Sequence, residues 1–223
     1  MERKLLLRII NFAYKTLARP EFIGTENIPA SGGIILATNH MSFADVPMLM
    51  LTPGRPEITA LAGDSYKKHL LFKIILNWAD VIWIDREKAD FSALSTARQH
   101  VQDGKALVIA PEGTRSKVGH LLEGKAGTAL LAARAKCPII PIGITGTEVA
   151  FKKLLSFRRP KLVVRYGKVF TLPPFTQEDR SQWLELCTEE IMCQIAALLP
   201  EQYRGFYKNH PRLKELIKTT GNQ

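Results

Sequence analysis

The sequence predicts an α/β fold: a single domain with a mixed, centrally parallel sheet flanked by helices, plus an amphipathic helix at the amino terminus. Three wholly apolar runs, residues 34–37, 106–110 and 138–144, have the length and composition of strands buried on both faces. Between them lie longer stretches with helical apolar spacing, notably 91–102 and 125–136, and strands alternating with helices argue for a parallel sheet. The 223 residues can enclose one substantial core, and no internal repeat, low-complexity tract or linker divides them.

The elements follow in order. Lys4, Arg8, Asn11, Lys15 and Arg19 recur at steps of four, three, four and four, which draws a polar stripe along a helix over residues 1–19. Leu5, Leu6, Ile9, Ile10, Ala13 and Leu17 fall on the other side, the pattern of a helix lying in a membrane interface on anionic headgroups. The same face would equally suit a helix packed on the domain. Arg8 interrupts the apolar residues too early for a span of about 20 residues or for a signal peptide. Residues 20–223 form the expected domain. A short strand is predicted over 21–28, a turn over 29–33, strands over 57–62 and 81–84, and a helix over 66–77. Asp90 is the expected N-cap of the 91–102 helix. Residues 161–169 alternate as a strand, residues 177–199 form a long helix, and Pro211 starts a basic one.

Chemistry concentrates where the first apolar run ends, in Asn39-His40-Met41-Ser42-Phe43-Ala44-Asp45. The carboxyl end of a strand is where ligands bind in such sheets. If the loop folds back, Asp45 accepts from His40 Nδ1–H and leaves Nε2 free to take a proton. No nucleophile elbow, second ligand-spaced His or nearby Cys accompanies the pair, so the base acts on a hydroxyl that a substrate supplies. Taken alone, Ser42-x-x-Asp45 reads equally as a capping box with His40 in the turn.

A second motif, Pro111-Glu112-Gly113-Thr114-Arg115-Ser116, follows the run over residues 106–110. Gly113 permits close backbone approach to a ligand, Arg115 can grip a phosphate through two parallel hydrogen bonds, and the Thr114 and Ser116 hydroxyls add donors.

With these two motifs in this order, the chain resembles the glycerolipid acyltransferases, the PlsC-like 1-acylglycerol-3-phosphate and glycerol-3-phosphate acyltransferases among them. Val81-Ile82-Trp83-Ile84-Asp85-Arg86 looks like the family's second block, Cys137-Pro138-Ile139-Ile140-Pro141-Ile142 like its fourth, and Lys125-Ala126-Gly127 like the Lys-x-Gly that follows the third. The resemblance implies transfer of a fatty acyl group from a thioester to the free hydroxyl of a lysophospholipid, 1-acylglycerol-3-phosphate foremost, giving phosphatidic acid. His40 would be the general base and Asp45 its orienting partner, with no acyl-enzyme, metal or cofactor. Acyl-coenzyme A or an acyl carrier protein would be co-substrate. Arg86 and Arg115, with Lys125 third, are the candidates for the acceptor phosphate, beside Gly113 and Thr114. Glu112 would orient Arg115 or accept from a glycerol hydroxyl. Family members often carry Phe before the Pro-Glu-Gly-Thr-Arg-Ser block, whereas Ala110 stands here and alters the pocket next to Glu112. An acceptor without phosphate, such as a lyso-ornithine lipid or a sugar, and a non-catalytic anionic-membrane binder are the alternatives.

The net charge of +10 calls for an anionic partner, or serves solubility as a solvated charged face. Residues 149–177 hold Lys152, Lys153, Arg158, Arg159, Lys161, Arg165 and Lys168 with no acidic residue. Aromatics are not interleaved with them as a base-stacking platform would require, so no nucleic acid is expected. Cys137, Cys187 and Cys193 are odd in number and lack metal spacing, which suits a reduced compartment. The expected location is peripheral, on the cytoplasmic face of a membrane.

Overall fold

The apolar runs become strands because each can bury side chains on two faces at once. The computed structural model describes residues 2–68, 70–85, 90–175 and 179–220. In chain order they form α1 (Glu2–Leu17), β1 (Arg19–Ile23), β2 (Ile34–Thr38), the short helix α2 (Asp45–Leu49), β3 (Thr59–Gly63), α3 (Leu70–Trp78), β4 (Ile82–Ile84), α4 (Phe91–Gln102), β5 (Ala106–Ile109), α5 (Gly127–Ala135), β6 (Ile139–Thr145), α6 (Ala150–Leu155), β7 (Lys161–Tyr166), α7 (Arg180–Ala197) and α8 (Pro211–Thr220). The sheet order is β1-β7-β6-β2-β5-β3-β4. β6, β2, β5, β3 and β4 run parallel, β7 lies antiparallel to β6, and β1 pairs parallel with β7.

Alternation sorts the central strands onto two cores. Ile35, Ala37, Leu107 and Ile109 face the core shared with α4, α5 and α7. Ile34, Leu36, Ala106 and Val108 face the other, which Met48 and Leu49 of α2 complete. The connection leaving β2 therefore packs on one face and the connection leaving β5 on the opposite one. Adjacent strands whose exits diverge this way leave a crevice at their carboxyl ends.

Three local expectations are revised. The first strand ends at Ile23, because Gly24 turns into the left-handed region (φ +76°) and Thr25–Asn27 form a 3-10 turn. The helix predicted over 66–77 starts at Leu70, after a 3-10 turn at Asp64–Lys68. Helix α6 has no counterpart among the expected elements, since six residues are too few for a periodic signal. Asp90 caps α4 as predicted, accepting from Ala93 N at 2.9 Å.

α1 carries three stripes rather than two. Leu6 is buried and Ile10 half-buried against Met50, Ala79 and Ile75. The Arg3 guanidinium donates to the carbonyls of Pro56, Ile58 and Ala79. Leu5, Ile9 and Phe12 stay exposed beside the basic stripe. The helix thus packs on the domain and still presents an apolar face. Among the described residues no helix is long and apolar enough to cross a membrane.

Candidate active site

The two motifs lie about 70 residues apart in sequence and meet because β2 and β5 are direct neighbours, with Ala37 opposite Ile109. Each strand delivers its loop to the same edge of the sheet. Ser116 N donates to His40 O at 2.7 Å and so ties one loop to the other.

Within the first loop, His40 Nδ1 and Asp45 Oδ2 lie 2.9 Å apart. The same oxygen accepts from the Met41 and Ser42 amides, each at 2.7 Å. Asp45 is buried and held by the start of α2, so its position is set by backbone on both sides. Its contact makes Nδ1 the donor and directs the free lone pair of the neutral ring to Nε2. The capping reading and the orienting reading therefore coexist in one carboxylate.

Two further residues hold this loop, and the sequence reading named neither role. Asn39 is buried and grips β6 with both ends of its amide: Nδ2 donates to Ile144 O at 2.9 Å, and Oδ1 accepts from Ile144 N at 2.7 Å. An Asn at a strand exit, directly before the His, was the available signal. Tyr14 of α1 donates its hydroxyl to Ala44 O at 2.6 Å. Burial, and then the nearby Asp45 carboxylate, push its phenol well above the ordinary value and keep it a donor.

Glu112 differs from expectation. It is 1 % exposed, and it lies between the two loops instead of pairing with Arg115. Oε1 accepts from His40 N at 3.0 Å and Oε2 from Leu122 N at 2.8 Å. Burial raises its pKa to about 7, against the lowering effect of those amides and of His40. Both oxygens of the carboxylate thus face backbone amides. Ser116 is likewise buried, and its hydroxyl donates to His120 O at 2.6 Å rather than to a ligand.

Gly113 is in the left-handed region (φ +68°), and a Cβ there would lie 3.0 Å from Lys125 Cδ. Glycine thus serves both the turn and the path of the Lys125 side chain across it. Its own amide donates to Ala110 O at 3.0 Å, within the turn. Thr114 and Lys125 are exposed, and Lys125 N donates to Pro111 O at 2.8 Å. Arg115 stacks on Phe43, its guanidinium carbon 3.8 Å from the ring centroid. Arg86 lies outside the described residues.

Two cavities converge on His40. One, of about 190 Å³, has Lys125, Gly113, Thr114 and the start of α5 among its lining residues and is otherwise largely apolar, with Ala110, Leu94 and Leu131. The other, of about 210 Å³, runs under α1 and α3 among Leu6, Ile10, Phe43, Met50 and Ile75. His40, Val46, Ala60 and Leu61 line both. The three cysteines are removed from this chemistry: burial pushes the thiols of Cys137, Cys187 and Cys193 up to about 11, 11 and 12.

Known proteins resemble this chain in sequence and in fold. The family model described as Acyltransferase matches residues 19–145. A 1-acyl-sn-glycerol-3-phosphate acyltransferase of Cocos nucifera is 31% identical over 156 residues, covering 68% of this chain and 50% of that protein. The 1-acyl-sn-glycerol-3-phosphate acyltransferase alpha of Homo sapiens is 32% identical over 184 residues, covering 78% and 61%. The chain thus spans about half to three-fifths of the length of these relatives. The crystal structure of the 1-acyl-sn-glycerophosphate (LPA) acyltransferase PlsC from Thermotoga maritima superposes with a TM-score of 0.63, at 22% identity, covering 83% of this chain and 76% of that one, a likeness of fold. With the matched segment running from the start of β1 to the end of β6, and so containing both loops that meet at His40, the chain belongs to the Acyltransferase family.

Proposed function

We propose that the protein transfers a fatty acyl group from a thioester, acyl-coenzyme A or acyl carrier protein, to the free hydroxyl of a lysophospholipid. The acceptor is 1-acylglycerol-3-phosphate and the product phosphatidic acid. The observation that carries this reading is the place of His40, an oriented imidazole at the junction of a cavity with a basic mouth and an apolar one. Among the described residues no Ser or Cys is hydrogen-bonded to His40, so in this reading the imidazole acts on a substrate hydroxyl and not on a protein nucleophile.

In this mechanism His40 Nε2 takes the proton of the acceptor hydroxyl as its oxygen attacks the thioester carbonyl. Asp45 holds the ring and favours the developing imidazolium. Collapse of the tetrahedral intermediate breaks the carbon–sulfur bond, and the imidazolium returns the proton to the departing thiolate. General-base catalysis supplies a factor of about 10²–10⁴, so positioning by Asn39, Glu112 and Tyr14 must add to it. The cavity under α1 and α3 suits the acyl chain. Lys125 and the amino end of α5 suit the acceptor phosphate, since both present positive potential to the first cavity. Arg115, held by Phe43, and Arg86 are the further phosphate ligands in this reading.

In this reading the exposed apolar face of α1, with Lys4, Arg8 and Lys15 beside it, suits peripheral attachment to an anionic membrane surface on its cytoplasmic side.

The test is thiol release from acyl-coenzyme A with and without lysophosphatidic acid, beside His40→Ala. Acceptor-dependent release that vanishes in the variant is expected. Release that is independent of acceptor, or that survives His40→Ala, overturns the reading.

A further inference from the structure

The turn that ends α6 is built in a way the domain itself does not reward. Phe157 has a left-handed backbone, φ +54°, which for a large side chain carries a steric penalty. Its amide donates to Leu154 O at 3.0 Å and the next amide, of Arg158, to Lys153 O at 2.9 Å. These are the paired hydrogen bonds of a helix-ending turn, whose left-handed position is ordinarily glycine. Here it holds a phenylalanine that is 100% exposed, so no packing offsets the strain. Phe151 and Leu155, one helical turn apart, are 73% and 68% exposed, while Ala150 is buried and anchors the helix.

Along the chain from 149 to 177 the charge has one sign. Lys152, Lys153 and Arg158 are exposed, and no acidic residue occurs between 149 and 177. Arg159 clamps the turn to α1, donating to the carbonyls of Lys15 and Ala18. The turn also lies at the edge of the sheet that carries His40, because α6 follows the carboxyl end of β6 and β6 runs parallel to β2. Tyr14, in the carboxyl half of α1, reaches the His40 loop at that same edge. Exposed aromatic and aliphatic groups beside basic ones, on a turn tied through Arg159 to the carboxyl end of α1, match the chemistry of an anionic bilayer surface.

We propose that this turn is a second membrane-inserting element. Phe151, Leu155 and Phe157 enter the boundary between headgroups and acyl chains, and Lys152, Lys153 and Arg158 meet lipid phosphates. With α1 it makes a two-point contact that holds the His40 edge toward the lipid. Binding is measured without turnover, so it stands or falls separately from the acyl-transfer reading, on which only its catalytic consequence rests.

Phe157→Gly tests it cleanly, since glycine suits the left-handed position and removes the ring. Cosedimentation with vesicles of phosphatidylglycerol and phosphatidylcholine in equal parts should weaken about tenfold, or about 1.4 kcal/mol, with no fall in thermal midpoint. In a second measurement, Phe157→Trp should gain fluorescence quenching by brominated lipid over the wild-type chain. Unchanged vesicle affinity in Phe157→Gly, or no added quenching in Phe157→Trp, overturns the proposal. If Leu5→Ser with Phe12→Ser weakens binding while Phe157→Gly does not, α1 alone docks and the second element is refuted. Binding of a single-stranded oligonucleotide that depends on Lys152 and Lys153, with no vesicle binding, would assign the patch to nucleic acid and refute it as well.

Discussion

Replacing Glu112 by glutamine should flatten part of the pH dependence of stability. Folded, this carboxyl holds its proton up to about pH 7, against 4.5 for an ordinary glutamate. Between those values the folded chain binds more protons than the unfolded one, so stability falls as pH rises through the window. At about 1.4 kcal/mol per pKa unit, the rise amounts to about 3 kcal/mol, fully present below pH 4.5 and lost above pH 7. The Glu112→Gln side chain would also leave one of the two backbone amides, His40 N or Leu122 N, facing an NH₂ group, a pH-independent loss of about 1–3 kcal/mol. The variant should therefore be less stable than the parent near pH 4.5, with a deficit that shrinks by about 3 kcal/mol by pH 8. Urea titrations of both proteins at half-unit steps from pH 4.5 to 8 measure the difference directly. Parallel curves would mean that Glu112 titrates alike in both states, and the brace between the loops would have to be abandoned as a buried one.

Other variants separate orientation, support and phosphate binding. Asp45→Asn should lower kcat by a factor of order 10⁴, by analogy with loss of the orienting carboxylate in serine-protease triads, with a smaller change in KM; a loss below tenfold would refute the orienting role. Asn39→Ala leaves the Ile144 amide and carbonyl unpaired in the interior and should cost about 1–3 kcal/mol in urea unfolding. An unchanged midpoint would show that β6 does not need that grip. Arg115→Ala and Lys125→Ala should each raise KM for lysophosphatidic acid on the order of tenfold, the weight of a hydrogen bond to a charged group. Neither should affect a phosphate-free acceptor, and equal losses on both acceptors would remove these residues from phosphate recognition.

Periodic and local features were legible in the chain alone. Apolar runs too short for helices had to be strands, and the central ones are covered on both faces as their unbroken hydrophobicity required. The spacing of His40 and Asp45 made their hydrogen bond legible, because five residues at a strand exit are enough for the loop to turn back on itself. Contacts between distant segments were another matter. Strand order places β5 beside β2, and only that adjacency brings Pro111 to Ser116 against His40. It also gives Glu112 two amides to accept from, turning an expected ligand of substrate into a brace. A motif shows which groups are present but not which of their atoms the fold consumes, and Glu112, Ser116 and the Gly113 amide are all consumed internally. The same limit explains α1, where one helical pattern served both packing and exposure until neighbours decided which side each residue took. Periodicity is a property of the chain alone, whereas burial and hydrogen-bond partnership belong to whatever the rest of the chain brings alongside.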